Sequence, residues 1–108
     1  MLRIYPRMLK LARRLRPLIE EIARHDRYLA DQVRRAYSSA VLNTAEGMGR
    51  RRGNRRLRYE TAVGEAGETR SGLELAEAWG YVRRLDAEVM EELGAIICVL
   101  DRLAQPRH

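Results

Sequence analysis

The chain has 108 residues, with 21 Lys and Arg against 15 Asp and Glu, a formal net charge of +6 and 45% hydrophobic residues. That is the size of one small domain spanning residues 1–108, too apolar to stay unfolded and too charged to cross a membrane. The single cysteine, Cys98, excludes an internal disulfide and a cysteine-built zinc site, and Arg13 and Arg14 interrupt any apolar signal core, so a cytoplasmic location with no membrane association is expected.

Leu and Ala dominate the apolar positions, which recur at helical spacing almost throughout, so four helices are expected. The first is predicted over about 5–23, with Ile4, Met8, Leu11, Leu15, Leu18 and Ile22 forming one apolar stripe. Pro17 lacks the N–H that would bond back to Arg13, which predicts a kink, or a break with Pro17 opening a second short helix. The second helix is predicted over about 27–46 after an Asp26 cap, burying Leu29, Val33, Ala36 and Ala40, with Tyr37, Val41 and Thr44 on the flank. Gly47 and Gly49 would then supply the left-handed conformations that end helices.

Asn54 is the predicted cap of a third helix over about 55–79, with Tyr59, Ala62, Val63, Ala66, Leu73 and Ala76 inward and a stop at Gly80. Gly64, Gly67 and Gly72 inside it suggest close approach of a neighbouring helix. The fourth is predicted over about 87–104, with Leu85 and Met90 as a hydrophobic staple and Val89, Leu93, Ile96, Ile97, Leu100 and Leu103 facing the core. Short connections between successive helices predict an all-α, antiparallel up-down-up-down four-helix bundle.

The charge is divided unevenly along the chain. Residues 1–58 carry 16 basic and 5 acidic side chains, whereas residues 59–108 carry 5 and 10. The densest stretch is Arg50, Arg51, Arg52, Arg55, Arg56 and Arg58, read as an arginine-rich loop leading into a helix. Such side chains repel one another unless a polyanion screens them, so phosphate-backbone contact is the expected role, with a solvated loop paired to Glu60 as the plainer alternative. Arg3, Arg7, Lys10 and Arg14 follow spacings of four, three and four, and form a second basic stripe that could extend that surface. No aromatic side chains interleave with these cations, so backbone charge rather than base stacking would carry binding.

The segment Gln32 to Ser39, with Arg34, Arg35 and Ala36, followed by Asn43, Ala45, Glu46, Gly47, Gly49 and Arg50, resembles the 23S ribosomal RNA intervening-sequence protein family, generically called four helix bundle proteins. The likeness continues through Ala62, Gly64, Glu68, Leu73, Ala76, Gly80 and Tyr81. It implies a bundle assembling into a ring-shaped homo-oligomer, typically a homopentamer, with no catalytic residues and no cofactor. Related bundles are accessory proteins of diversity-generating retroelements, so nucleic acid, RNA more than DNA, and a reverse transcriptase are the partners the resemblance implies. Gln32, Arg34, Arg35, Asn43, Glu46, Gly47, Gly49 and Glu68 match its motif and read as structural: Asn43 and Glu46 bonding across the bundle or capping the Gly47 turn, and Arg34 or Arg35 pairing with Glu65 or Glu68.

Enzyme chemistry finds no constellation. Glu65 with Glu68 and Glu74 with Glu77 have carboxylate-bridge spacing, but a di-metal site also needs histidines, and only His25 and His108 exist. Ser38, Ser39 and Ser71 lie within helices, and Cys98 reads as a small core residue on an apolar face. Trp79 reads as a partly exposed interface anchor or as core edge.

Overall fold

A computed structural model describes residues 3–49 and 52–106, with Arg52 and Gly53 described by their backbone. Four helices follow one another: α1 (Ile4–Ala23), α2 (Arg27–Gly49), α3 (Arg52–Ala78) and α4 (Ala87–Ala104). Each packs on its chain neighbours, and α1 meets α4 to close a bundle 45 Å long. Among the described residues, no helix is long and apolar enough to cross a membrane.

The apolar stripes read from the sequence form the core. Met8, Leu15, Ile22, Val33, Tyr59, Leu73, Leu93, Ile96 and Leu100 are all almost fully buried, and Leu18, Val63, Ile97 and Leu103 pack against them from the edge. Tyr37 is buried with its hydroxyl donating to the Met8 carbonyl at 2.7 Å, which ties α2 to α1. Burial pushes its phenol well above the ordinary tyrosine range, so it stays protonated as a donor.

Several local expectations are revised. α1 runs unbroken through Pro17; both Pro17 and Arg13 are exposed, so water can take the carbonyl that the proline leaves without a donor. α2 continues to Gly49 rather than stopping near Glu46, and Gly47 is helical, not a turn. Gly47 is small for a packing reason: a β-carbon there would meet Tyr59 Cε1 at 2.9 Å. Gly72 likewise admits Val33 of α2, whose Cγ2 would lie 2.6 Å from an added β-carbon, but Gly64 and Gly67 have nothing within 4 Å. Of Gly64, Gly67 and Gly72, only Gly72 therefore marks close packing.

α3 starts at Arg52, which puts Asn54 inside the helix instead of at its cap. Its C-terminus is closed as expected by Gly80, at φ +82°: the Gly80 N–H donates to Glu77 O and the Tyr81 N–H to Ala76 O, both at 2.9 Å. Val82, 1% exposed, then plugs the α3–α4 connection into the core. Asp86 caps α4 through the N–H groups of Glu88 and Val89, and Asp26 caps α2 through Leu29 N–H at 3.0 Å. Cys98 is exposed rather than buried, on the outer side of α4 away from Leu93, Ile96 and Leu100.

Candidate nucleic-acid interface

From Arg52 onward the arginine-rich segment is the start of a helix rather than a loop. Arg50 and Arg51 lie outside the described residues, and Arg52 opens α3. Arg55 and Arg56 are exposed, and Arg56 Nε donates to Glu60 Oε2 at 3.3 Å one turn on. Arg58 is half-buried against α2, where its Nη1 donates to Asn43 Oδ1 at 3.3 Å. Asn43 is oriented in turn by donating to Ser39 O at 2.9 Å and Ser39 Oγ at 3.2 Å. Bonding of Asn43 across the bundle is thus found, and capping of a Gly47 turn is not. Arg58 Nε is buried with no acceptor.

This geometry concentrates positive charge where the helix already presents it. The first turn of α3 contains no acidic residue, so the free N–H groups and dipole of a 27-residue helix add to the arginines instead of offsetting an acid.

The basic stripe on α1 behaves differently. Arg7 grips Glu92 of α4 through two bonds, Nε to Oε2 at 3.0 Å and Nη2 to Oε1 at 2.8 Å. The Arg7 hydrogen bond holds the Glu92 carboxyl below its usual range, and the same bond raises the Arg7 guanidinium. Arg14 Nη2 bridges Asp86 at 2.8 Å and Glu88 at 3.5 Å. Asp86 is held low chiefly by the backbone N–H of Glu88, with Arg14 adding to it. Arg3 and Lys10 are exposed and make no ion pair among the described residues. A cationic stripe on a bundle helix faced acids of the neighbouring helix, which spacing within one helix cannot reveal.

The residues of the family-like motif divide by the face they occupy. Arg34 pairs with Asp31, three residues earlier on its own helix, rather than with Glu65 or Glu68. Arg35 shares a polar groove between α2 and α3 with Gln32, Ser39, Glu65 and Glu68, yet makes no ion pair there. Glu46 is half-buried, and Gly49 is exposed with open space around it. Among the described residues, no three His, Cys, Asp or Glu side chains converge as metal ligands.

The end of the bundle opposite the start of α3 holds cations and aromatics that the sequence alone does not bring together. His25 of the α1–α2 turn stacks on Tyr81 of the α3–α4 turn, with ring centroids 5.4 Å apart and planes 8° from parallel. Around this pair, Arg24, Arg27, Arg83 and Arg84 are exposed, as are Tyr28 and Trp79, at 73% and 64%. Trp79 is therefore not core edge. These residues are more than fifty apart in the chain, and only the antiparallel bundle makes them neighbours.

The family model for the 23S rRNA-intervening sequence protein matches residues 1–100. The chain is also similar to a crystal structure described as a protein with unknown function from the S23 ribosomal protein family of Bacteroides thetaiotaomicron. The two share 20% identity and a TM-score of 0.79 over 95% of this chain and 99% of that one. At that identity the likeness establishes the shared four-helix fold. No curated protein matches.

Proposed function

The chain belongs to the 23S rRNA-intervening sequence protein family, and we propose that it acts as a non-enzymatic, oligomeric nucleic-acid-binding bundle, with RNA as the favoured ligand. The observation that carries this reading is the start of α3, where Arg55, Arg56 and Arg58 follow Arg52 at the positive end of a long helix with no acid in its first turn. A phosphate backbone would relieve the mutual repulsion of these side chains and accept from the free N–H groups. Arg50 and Arg51 belong to the same basic stretch of sequence and join the proposed contact set; Arg3 and Lys10 extend it along α1. Arg7 and Arg14, held by α4 acids, contribute to folding first.

Assembly into a ring, a pentamer by family resemblance, is part of the proposal. Leu42 and Leu57, 63% and 58% exposed, leave apolar surface on α2 and α3 for a second copy to cover. A ring would repeat one basic surface several times, so individually weak contacts would add as avidity.

Titration of labelled RNA and duplex DNA at two salt concentrations tests the binding claim. Wild-type protein should bind RNA and lose affinity steeply with salt, and Arg55→Ala with Arg56→Ala should weaken binding and flatten the salt dependence by about 1 to 2 log units per log salt. Equal binding by that variant, or no wild-type binding at low salt, rejects it. Light scattering that gives a monomer mass at micromolar concentration rejects the ring.

A further inference from the structure

We infer that the end of the bundle formed by the α1–α2 and α3–α4 turns is a second contact surface, built to hold a single-stranded nucleic acid by stacking its bases on Trp79 and Tyr28 while Arg24, Arg27, Arg83 and Arg84 contact its phosphates. This extends the proposed function to a new surface and does not depend on the arginines that open α3.

The first ground is charge that has no internal partner. Three acids of this end are already engaged: Asp26 caps α2 through Leu29 N–H, Glu77 accepts from Leu85 N–H at 3.1 Å, and Asp86 caps α4 and pairs with Arg14. Glu20 is engaged by Arg16, and Asp31 by Arg34. Among the described residues, none of Arg24, Arg27, Arg83 and Arg84 has an acidic partner, although all four are exposed. A groove running from this end between α1 and α2 is lined by Arg24, Arg27 and Arg34, with Glu20 and Asp31 already paired within it.

The second ground is the aromatics. Among the described residues, Tyr28 and Trp79 are the two most exposed large hydrophobic side chains, in a chain with only five Tyr and one Trp. Solvent-facing aromatic rings among unpaired arginines are the combination used for sequence-tolerant binding of unpaired bases, because every base offers a π-face and every nucleotide a phosphate. A duplex would offer the arginines phosphates but hide its base faces, and an apolar protein surface would leave the arginines without counterparts.

The third ground is rigidity. Trp79 and the two turn arginines are displayed by a segment fixed at several points: the Gly80 closure of α3, buried Val82, the Glu77 bond to Leu85 and the Asp86 cap. The His25–Tyr81 stack locks this segment to the turn that carries Arg24 and Arg27. Side chains on a fixed frame lose less freedom on binding than those on a loose loop.

Trp79 is the only tryptophan, so its own emission reports on the surface. A short oligouridylate should quench Trp79 fluorescence saturably, and an RNA duplex of the same length should quench it far less. By anisotropy of the labelled oligonucleotide, Trp79→Leu should weaken binding about ten-fold. Arg83→Ala with Arg84→Ala should weaken it and lower the salt slope by about 1.4, the value for two single-strand phosphates. These side chains are exposed, so circular dichroism should report a folded helical protein in both variants.

Equal quenching by duplex and single strand overturns the inference, as does wild-type affinity in either variant. Loss of binding in the Arg55→Ala, Arg56→Ala protein with no effect of the Trp79 and Arg83/Arg84 changes also overturns it while leaving the proposed function standing. The reverse pattern rejects the start of α3 as the binding site and keeps this surface.

Discussion

Along the α1–α4 seam, Arg7 reaches Glu92 and Arg14 reaches Asp86, whereas along the α2–α3 seam the helices come close enough for Tyr59 to lie against Gly47 and Val33 against Gly72. The first seam is trimmed by charge at its solvent edge. The second is set by the absence of side chains at two positions, and the polar groove between Arg35, Glu65 and Glu68 contributes no ion pair to it. The contrast bears on availability: Arg7 and Arg14 of the α1 stripe are held by acids of the α3–α4 turn and α4, whereas Arg56 meets Glu60 on its own helix and Arg58 the neutral Asn43 of α2.

The glycines give the sharpest way to break the comparison. Gly72→Ala puts a methyl group into Val33, a β-branched side chain with little rotamer freedom to retreat. Overpacking of that kind costs about 1–3 kcal/mol, more than the roughly 1 kcal/mol that alanine returns as helix propensity, so a net loss is expected. Gly64→Ala meets nothing and should gain up to about 1 kcal/mol. Denaturant midpoints check both. Changes of the same sign would mean that the α2–α3 seam is not set by close approach at Gly72.

A smaller effect belongs to the α1–α4 seam. Arg7 and Glu92 form a two-bond pair, but their side chains remain 40% and 36% exposed, so solvent screens them. A double-mutant cycle with Arg7→Ala and Glu92→Ala should return a coupling of about 0.5–1 kcal/mol that shrinks with added salt. A coupling of zero would leave that seam to apolar packing alone.

These contrasts also mark how far the chain could be read before folding. Stripe positions such as Met8, Val33, Leu73 and Leu93 were legible because period and hydrophobicity together determine which face is buried. Caps at Asp26 and Asp86 and the stop at Gly80 were legible because each is a local interaction within a few residues. Gly47, Gly64 and Gly67 were misread because one glycine can serve a turn, a close contact or nothing, and only the neighbouring helix decides which. Cys98 was misassigned by hydrophobicity: its neighbours Ile97 and Val99 reach the core edge while it points outward. Trp79 is legible on its own as an interface anchor or core edge, but its grouping with Tyr28 and four arginines is not, since that depends on two turns being brought to the same end.

The smallest effect expected is the pH dependence of the α1–α4 seam, and its sign follows from the direction of the shifts. Glu92 is lowered chiefly by the Arg7 hydrogen bond, and Asp86 chiefly by the Glu88 backbone N–H. A carboxyl group that is more acidic folded than unfolded binds fewer protons in the native state, so its contribution is complete above the unfolded value, about 4, and is lost as pH falls through the folded value. Thermal midpoints should therefore be insensitive to these two groups from neutral pH down to about pH 5 and should fall below about pH 4. Glu92→Gln keeps the side chain's shape and one acceptor oxygen but has no carboxyl to titrate, so its midpoint should start lower at neutral pH and fall less steeply in acid. If instead both proteins fall in parallel, the acid sensitivity lies elsewhere, and Arg7 and Glu92 do no more for the seam than two solvated side chains.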